Sequence, residues 1–110
     1  MLPRSRAGLA GALTHLAILG VVVALIVGGR DPGWPKYWLI FLALDFPVSL
    51  GVMPVIWLVP AAGGGPLLDV SNFWWPLAYH GLVGTLWWYI VGWAIGRRVS
   101  NLLARGENTR

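Results

Sequence analysis

Three ionisable side chains interrupt otherwise apolar stretches of the chain: His15, Asp45 and His80. A neutral imidazole can ligate haem iron or the magnesium of a chlorin, and two histidines at matched depth on neighbouring helices suit a b-type haem or a (bacterio)chlorophyll. The competing role for such histidines is a hydrogen bond between helices. Asp45 carries two readings as well. As an acid in an apolar run it could relay a proton or cation. In the run Asp45-Phe46-Pro47 its carboxylate could instead cap backbone N–H groups freed before Pro47, with Ser49 one turn on, and this cap is the favoured reading. No second acid, Lys or Arg is spaced to extend a relay. Ser49, Ser71 and Thr85 have no histidine at a spacing that suggests a nucleophile–base pair, and no phosphate-binding or HExxH pattern occurs, so the chain is not expected to be an enzyme.

The elements that would position these residues follow from composition. Of 110 residues, 57% are hydrophobic and only 11% charged, with a mean hydropathy of +0.69. Soluble domains carry about 25% charged residues, so this chain has too little polar surface to cover a globule in water. Zero cysteines exclude a disulfide scaffold, a thiolate metal site and a cysteine nucleophile. The net charge of +4 does not indicate nucleic acid, because the basic residues sit at the ends of apolar runs rather than in a polar stripe.

Three apolar runs, about 7–27, 37–59 and 73–96, are each long enough to cross a hydrocarbon core of roughly 30 Å. The sequence thus predicts an all-α integral membrane protein, a single domain over 1–110 with three transmembrane helices and a cytoplasmic Arg-rich tail at 97–110. Asp45, Pro47 and Pro54 predict that the second helix is kinked or broken near Asp45-Phe46-Pro47. Asp31-Pro32-Gly33 and Gly63-Gly64-Gly65-Pro66 mark the two connections, and Asn72 is expected to cap the third helix with Pro76 in its first turn.

With three crossings, the first loop and the C-terminal tail share one side. Arg30, Lys36, Arg97, Arg98, Arg105 and Arg110 lie there against Arg4 and Arg6 on the other, which predicts N-out and C-in. Helices one and three then run in the same direction, with His15 and His80 at similar depth and Asp45 nearer the cytoplasm. Trp34, Trp38, Trp57, Phe73, Trp74 and Trp75 fall at interfacial positions. Trp87 and Trp88 fall well inside, where an indole N–H needs a partner or the ring fills a space opposite small residues.

Small residues recur along two helices. Gly84, Trp88, Gly92 and Gly96 stand at four-residue steps on the third helix, while on the first Gly8, Gly11 and Ala12 surround His15 and Ala17, Gly20, Ala24 and Gly28 line the opposite side. Such faces let helices approach closely in lipid and point to packing partners in the membrane, either larger integral subunits or further copies of this chain.

The runs Leu44-Asp45-Phe46-Pro47-Val48-Ser49-Leu50 and Gly84-Thr85-Leu86-Trp87-Trp88-Tyr89 resemble small bacterial inner-membrane proteins of no settled function. That resemblance implies a bacterial, multi-pass location in the cytoplasmic (inner) membrane and carries over no active site. The leading expectation is a non-catalytic accessory subunit of a larger respiratory or photosynthetic membrane complex, held by its Gly and Ala faces and surrounding lipids. The alternatives are a haem- or (bacterio)chlorophyll-binding subunit using His80 and His15, and an oligomeric proton- or cation-coupled transporter using Asp45.

Overall fold

The computed structural model describes residues 5–29, 31–60 and 65–108. Arg4, Arg30 and Arg110, which entered the charge count, and residues 61–64 of the glycine-rich loop lie outside the described residues. Within them the chain is 88% helical and has no strand. The α-helices are α1 (Arg6–Gly28), α2 (Leu39–Leu44), α3 (Met53–Leu58), α4 (Trp75–Tyr79) and α5 (Thr85–Asn108). Short 3₁₀ segments at Trp34–Trp38, Val48–Val52 and Pro66–Leu68 and π-turns at Val70–Trp74 and His80–Gly84 join them. One helix, α1, is long and apolar enough by itself to cross a membrane, with a mean hydropathy of 2.4.

α1 starts where the Ser5 hydroxyl accepts the Gly8 N–H at 3.0 Å, a side-chain cap on an otherwise orphan donor. Its buried residues are Gly8, Ala12, His15, Leu19, Val22 and Ile26, alternating steps of four and three that place them on one face. The outward face is also apolar, with Leu9, Leu13, Leu16, Val21 and Leu25 all exposed.

The segment 70–108 is one helical path laid against α1. Asp69, rather than Asn72, caps it: its carboxylate accepts the Asn72 N–H at 3.0 Å, the Ser71 hydroxyl at 3.2 Å and the Asn72 amide at 3.2 Å. Starting this early puts Pro76 beyond the first turn. The ring of Pro76 crowds the preceding turn and supplies no N–H. The chain widens there into a π-turn, in which the Trp74 N–H reaches the Asp69 carbonyl at 3.2 Å.

The two long elements run antiparallel, not parallel as three alternating crossings require. A Cβ on Gly81 would meet Leu19 at 3.6 Å, one on Gly84 would meet His15 at 2.9 Å, and one on Gly8 would meet Tyr89 at 3.1 Å. Further along, Gly92 packs on Ala7 and Gly8, and Gly96 on Ala7. Rising numbers in α1 meet falling numbers in 70–108. The Ser5 N–H therefore reaches the Tyr89 hydroxyl at 2.9 Å, and α5 continues to Asn108 past the start of α1.

The physical reason lies in the middle segment, which doubles back instead of crossing. α2 descends for only six residues and stops at Asp45-Phe46-Pro47, whose Phe46–Pro47 bond is cis. Val48–Leu58 then climbs back beside it, so that Trp38, Leu42, Val52 and Ile56 face one another across a shared cavity. The Ser49 hydroxyl donates to the Leu42 carbonyl at 2.7 Å across this hairpin. The returning limb is fastened to the third element by the Trp75 indole, which donates to the Val52 carbonyl at 2.8 Å, and by the Tyr79 hydroxyl, which donates to Val48. Gly51 lets that tyrosine approach, because a Cβ would collide with its ring. After the hairpin, Gly65 and Pro66 sit beside Ile26, Gly29, Asp31 and Trp34, at the end of α1 from which the hairpin began. The expected break at Asp45-Phe46-Pro47 is present, but its consequence is a reversal rather than a kink.

Inside this arrangement Leu19, Val22, Ile26, Trp38, Phe41 and Phe73 form the buried apolar cluster. In the exposed turn before the hairpin, Asp31 and Lys36 pair at 2.6 Å. The ammonium, with the Gly33 N–H, holds the Asp31 carboxyl below its ordinary value.

Candidate functional site

The hairpin reversal carries Asp45 into the seam between α1 and the third element, where it is fully buried. His15 arrives from the inward face of α1, one turn before Leu19. His80 opens the second π-turn, and Thr85 and Trp88 follow on the same helical path. The His80 ring donates from Nδ1 to Asp45 Oδ2 at 2.7 Å. His15 Nε2 lies 2.9 Å from Oδ1 and 3.1 Å from Oδ2. The Trp88 indole N–H completes the set, donating to Oδ1 at 3.0 Å. Both histidines are as buried as the acid, at 0% and 1% exposure.

An ionised carboxylate only accepts, so the geometry fixes the protons on the facing nitrogens: His15 at Nε2 and His80 at Nδ1. The second nitrogen of His15, Nδ1, is 3.0 Å from the Thr85 hydroxyl. That hydroxyl can donate to a neutral imidazole or accept from an imidazolium, so His15 is satisfied in either protonation state. The second nitrogen of His80 has no partner among the described residues. Trp38 stacks on its ring at 6.1 Å with 15° between planes, and Phe41 lies 5.2 Å away.

Space for this cluster comes from Gly84, where a Cβ would stand 2.9 Å from His15 Nε2 and closer still to the Asp45 carboxylate. Gly84 belongs to the predicted small-residue stripe, and the stripe is used within the chain: Gly8, Gly11, Gly92 and Gly96 close the contact between α1 and α5. Ala12 is buried on the same face of α1. These close approaches are made within the chain, and they leave the opposite small-residue face of α1 uncovered at Gly20 and Gly28.

Two further expectations change. Asp45 does not cap the break: both carboxylate oxygens face His15, His80 and Trp88, and only its backbone carbonyl serves the next turn, accepting the Ser49 N–H at 2.9 Å. His15 and His80 do not flank a space for a macrocycle. They converge on one carboxylate, with both nitrogens of His15 engaged, so haem b or (bacterio)chlorophyll held between the two imidazoles does not fit these residues. Among the described residues no group of three or more His, Cys, Asp or Glu is set to hold a metal ion. His15 Nε2 and His80 Nδ1 point at carboxylate oxygens rather than at a common centre.

Thr85 and Trp38 were not singled out for chemistry by the sequence. Thr85 was detectable in principle, since it lies three residues before Trp88 and therefore on a neighbouring position of the same helix face. Trp38 reads as an interfacial aromatic and gains its place beside His80 only through the hairpin. Comparison with protein-family models, curated proteins and solved structures finds no match.

Proposed function

We propose that this is an integral membrane protein that takes up and releases a proton at the buried Asp45–His15–His80 cluster, as the working centre of a proton-coupled membrane activity. The observation that carries the reading is the set of contacts on Asp45: two imidazoles and an indole within 3.1 Å of one carboxylate, with Thr85 able to reverse its hydrogen bond. Ionisable groups in hydrocarbon are costly, and a tie between helices needs no more than neutral polar groups. An acid that faces two histidines, with no other charged side chain against it, gives a group that can hold one extra proton without leaving a donor unpaired.

What supports the membrane setting is length and surface. α1 has 23 residues, about 35 Å, and is apolar on both faces. The path 70–96 runs back beside it over a similar length. The hairpin reads as a re-entrant segment that stops near mid-membrane, where irregular backbone is tolerated because protein surrounds it. With two crossings both termini share a side. Among the described residues Arg6, Arg97, Arg98 and Arg105 lie on it, against Lys36 on the other, so both termini are assigned to the cytoplasm. This assignment replaces N-out, and a bacterial inner membrane is the proposed location.

Histidine-selective ¹⁵N NMR of the protein in lipid nanodiscs tests the proton reading. The rings of His15 and His80 are expected to change together, as one shared proton, when pH is varied over the range in which the protein stays folded. Asp45→Asn is expected to abolish that coupling, and unchanged spectra across the range would overturn the reading. A second reading is the accessory subunit of a larger membrane complex, with Asp45 as a packing tie. It is favoured by the outward stripe Ala17, Gly20, Ala24 and Gly28, where nothing lies within 4 Å of a Cβ built on Gly20 or Gly28. Co-migration with larger chains after gentle extraction, together with a silent titration, is what that reading expects.

A further inference from the structure

The two limbs of the hairpin do not close on each other. Between them, against the third element, lies a cavity of about 250 Å³ walled by Trp38, Leu42, Val52, Ile56 and His80. Its rim includes Leu39 and Trp57, 61% and 78% exposed, so it is open to the outside of the molecule. Apart from the Asn72 amide and the His80 ring the wall is hydrocarbon and aromatic, which suits an uncharged, mainly apolar occupant.

One feature of this wall is unsatisfied. Trp38 is only 7% exposed, and its indole N–H is buried with no acceptor among the described residues. The other indole donors of the interior are matched: Trp75 to Val52, and Trp88 to Asp45. A buried N–H left without a partner is costly, which makes the exception informative. The same tryptophan stacks on His80, whose second nitrogen also lacks a partner among the described residues. Two nitrogens without partners thus belong to stacked residues in the wall of one apolar cavity.

We infer that this cavity binds an uncharged, mainly apolar molecule presenting a carbonyl oxygen, which accepts the Trp38 indole N–H beside His80. A quinone ring and the acyl ester of a glycerolipid share that chemistry. Anionic ligands are disfavoured, since no Lys or Arg lines the cavity. The inference goes beyond the proton reading; only the idea that the occupant could exchange a proton with the cluster through His80 rests on it.

The test uses the ¹⁵N–¹H resonance of the Trp38 indole, assigned by its loss in Trp38→Phe, with the full chain in nanodiscs. In dialkyl-ether lipid, which has no ester carbonyl, titration with decyl-ubiquinone is expected to shift this resonance to saturation. Trp38→Phe, which keeps the ring and removes the donor, is expected to weaken quinone binding about tenfold, the order of one hydrogen bond. Ile56→Trp, which fills the cavity, is expected to abolish the shift. A shift on changing from ether to ester lipid without quinone would support the inference with the lipid as occupant. A Trp38 resonance unmoved by both ester lipid and quinone would overturn it, as would quinone binding unaffected by Trp38→Phe. A shifted Trp38 with silent histidines would remove the proton reading and leave the cavity standing. Titrating histidines with an unmoved Trp38 would do the reverse.

Discussion

Replacing Asp45 separates what the carboxylate does for the fold from what its charge does. In Asp45→Leu the donors of His15, His80 and Trp88 lose their acceptor inside a region that is 0–1% exposed at both histidines and at Asp45. Each buried donor left unpaired costs about 1–3 kcal/mol. The low end applies, because an unfolded chain in a micelle also finds partners. The loss is therefore about 3 kcal/mol. Asp45→Asn differs because the histidines can adapt. His15 can move its proton to Nδ1 and donate to Thr85, and His80 can move its proton to Nε2, so that both facing nitrogens accept from the new amide while Trp88 keeps a carbonyl oxygen. Charge-assisted bonds become neutral ones, a loss of about 1 kcal/mol. The two variants should differ by about 2 kcal/mol, or roughly 30-fold in the folded-to-unfolded ratio. Unfolding in mixed micelles with increasing denaturing detergent, followed by circular dichroism, measures this difference. Equal stabilities for the Leu and Asn variants would refute the argument that three buried donors depend on this residue.

Gly84→Ala should destabilise the protein by about 1–3 kcal/mol in the same assay through overpacking against His15 and Asp45. Gly20→Ala, which meets open space within α1, should be neutral or stabilise by up to about 1 kcal/mol. The chain contains no cysteine, so Ser5→Cys and Ser100→Cys can be labelled without background. Both are expected to react with an impermeant maleimide only from the cytoplasmic face, and labelling from opposite faces would rule out the hairpin topology. Asp69→Ala should cost about 0.5–2 kcal/mol by removing the cap of the third element, whereas an unchanged midpoint would show that its contacts with Ser71 and Asn72 do not hold the helix start.

Composition and the long apolar runs by themselves determined that this chain is helical and marked α1 as long and apolar enough to cross a membrane. They also located the break at Asp45-Phe46-Pro47, since proline chemistry is local, and they singled out His15, Asp45, His80 and the glycine stripes. The path of the chain after the break was decided only by tertiary structure. A segment of 23 apolar residues is long enough to cross, and nothing in its pattern distinguishes one crossing from two short limbs folded together. The difference comes from contacts distant in sequence: Trp75 and Tyr79 holding the backbone of the returning limb, and His15 and His80 closing on Asp45. Once the hairpin reverses, α1 and the third element must run antiparallel, with the start of α1 beside α5. The two histidines then share one acid instead of flanking a cofactor. Pairing depends on the register between helices, and the small residues that set that register constrain it only when both surfaces are brought together.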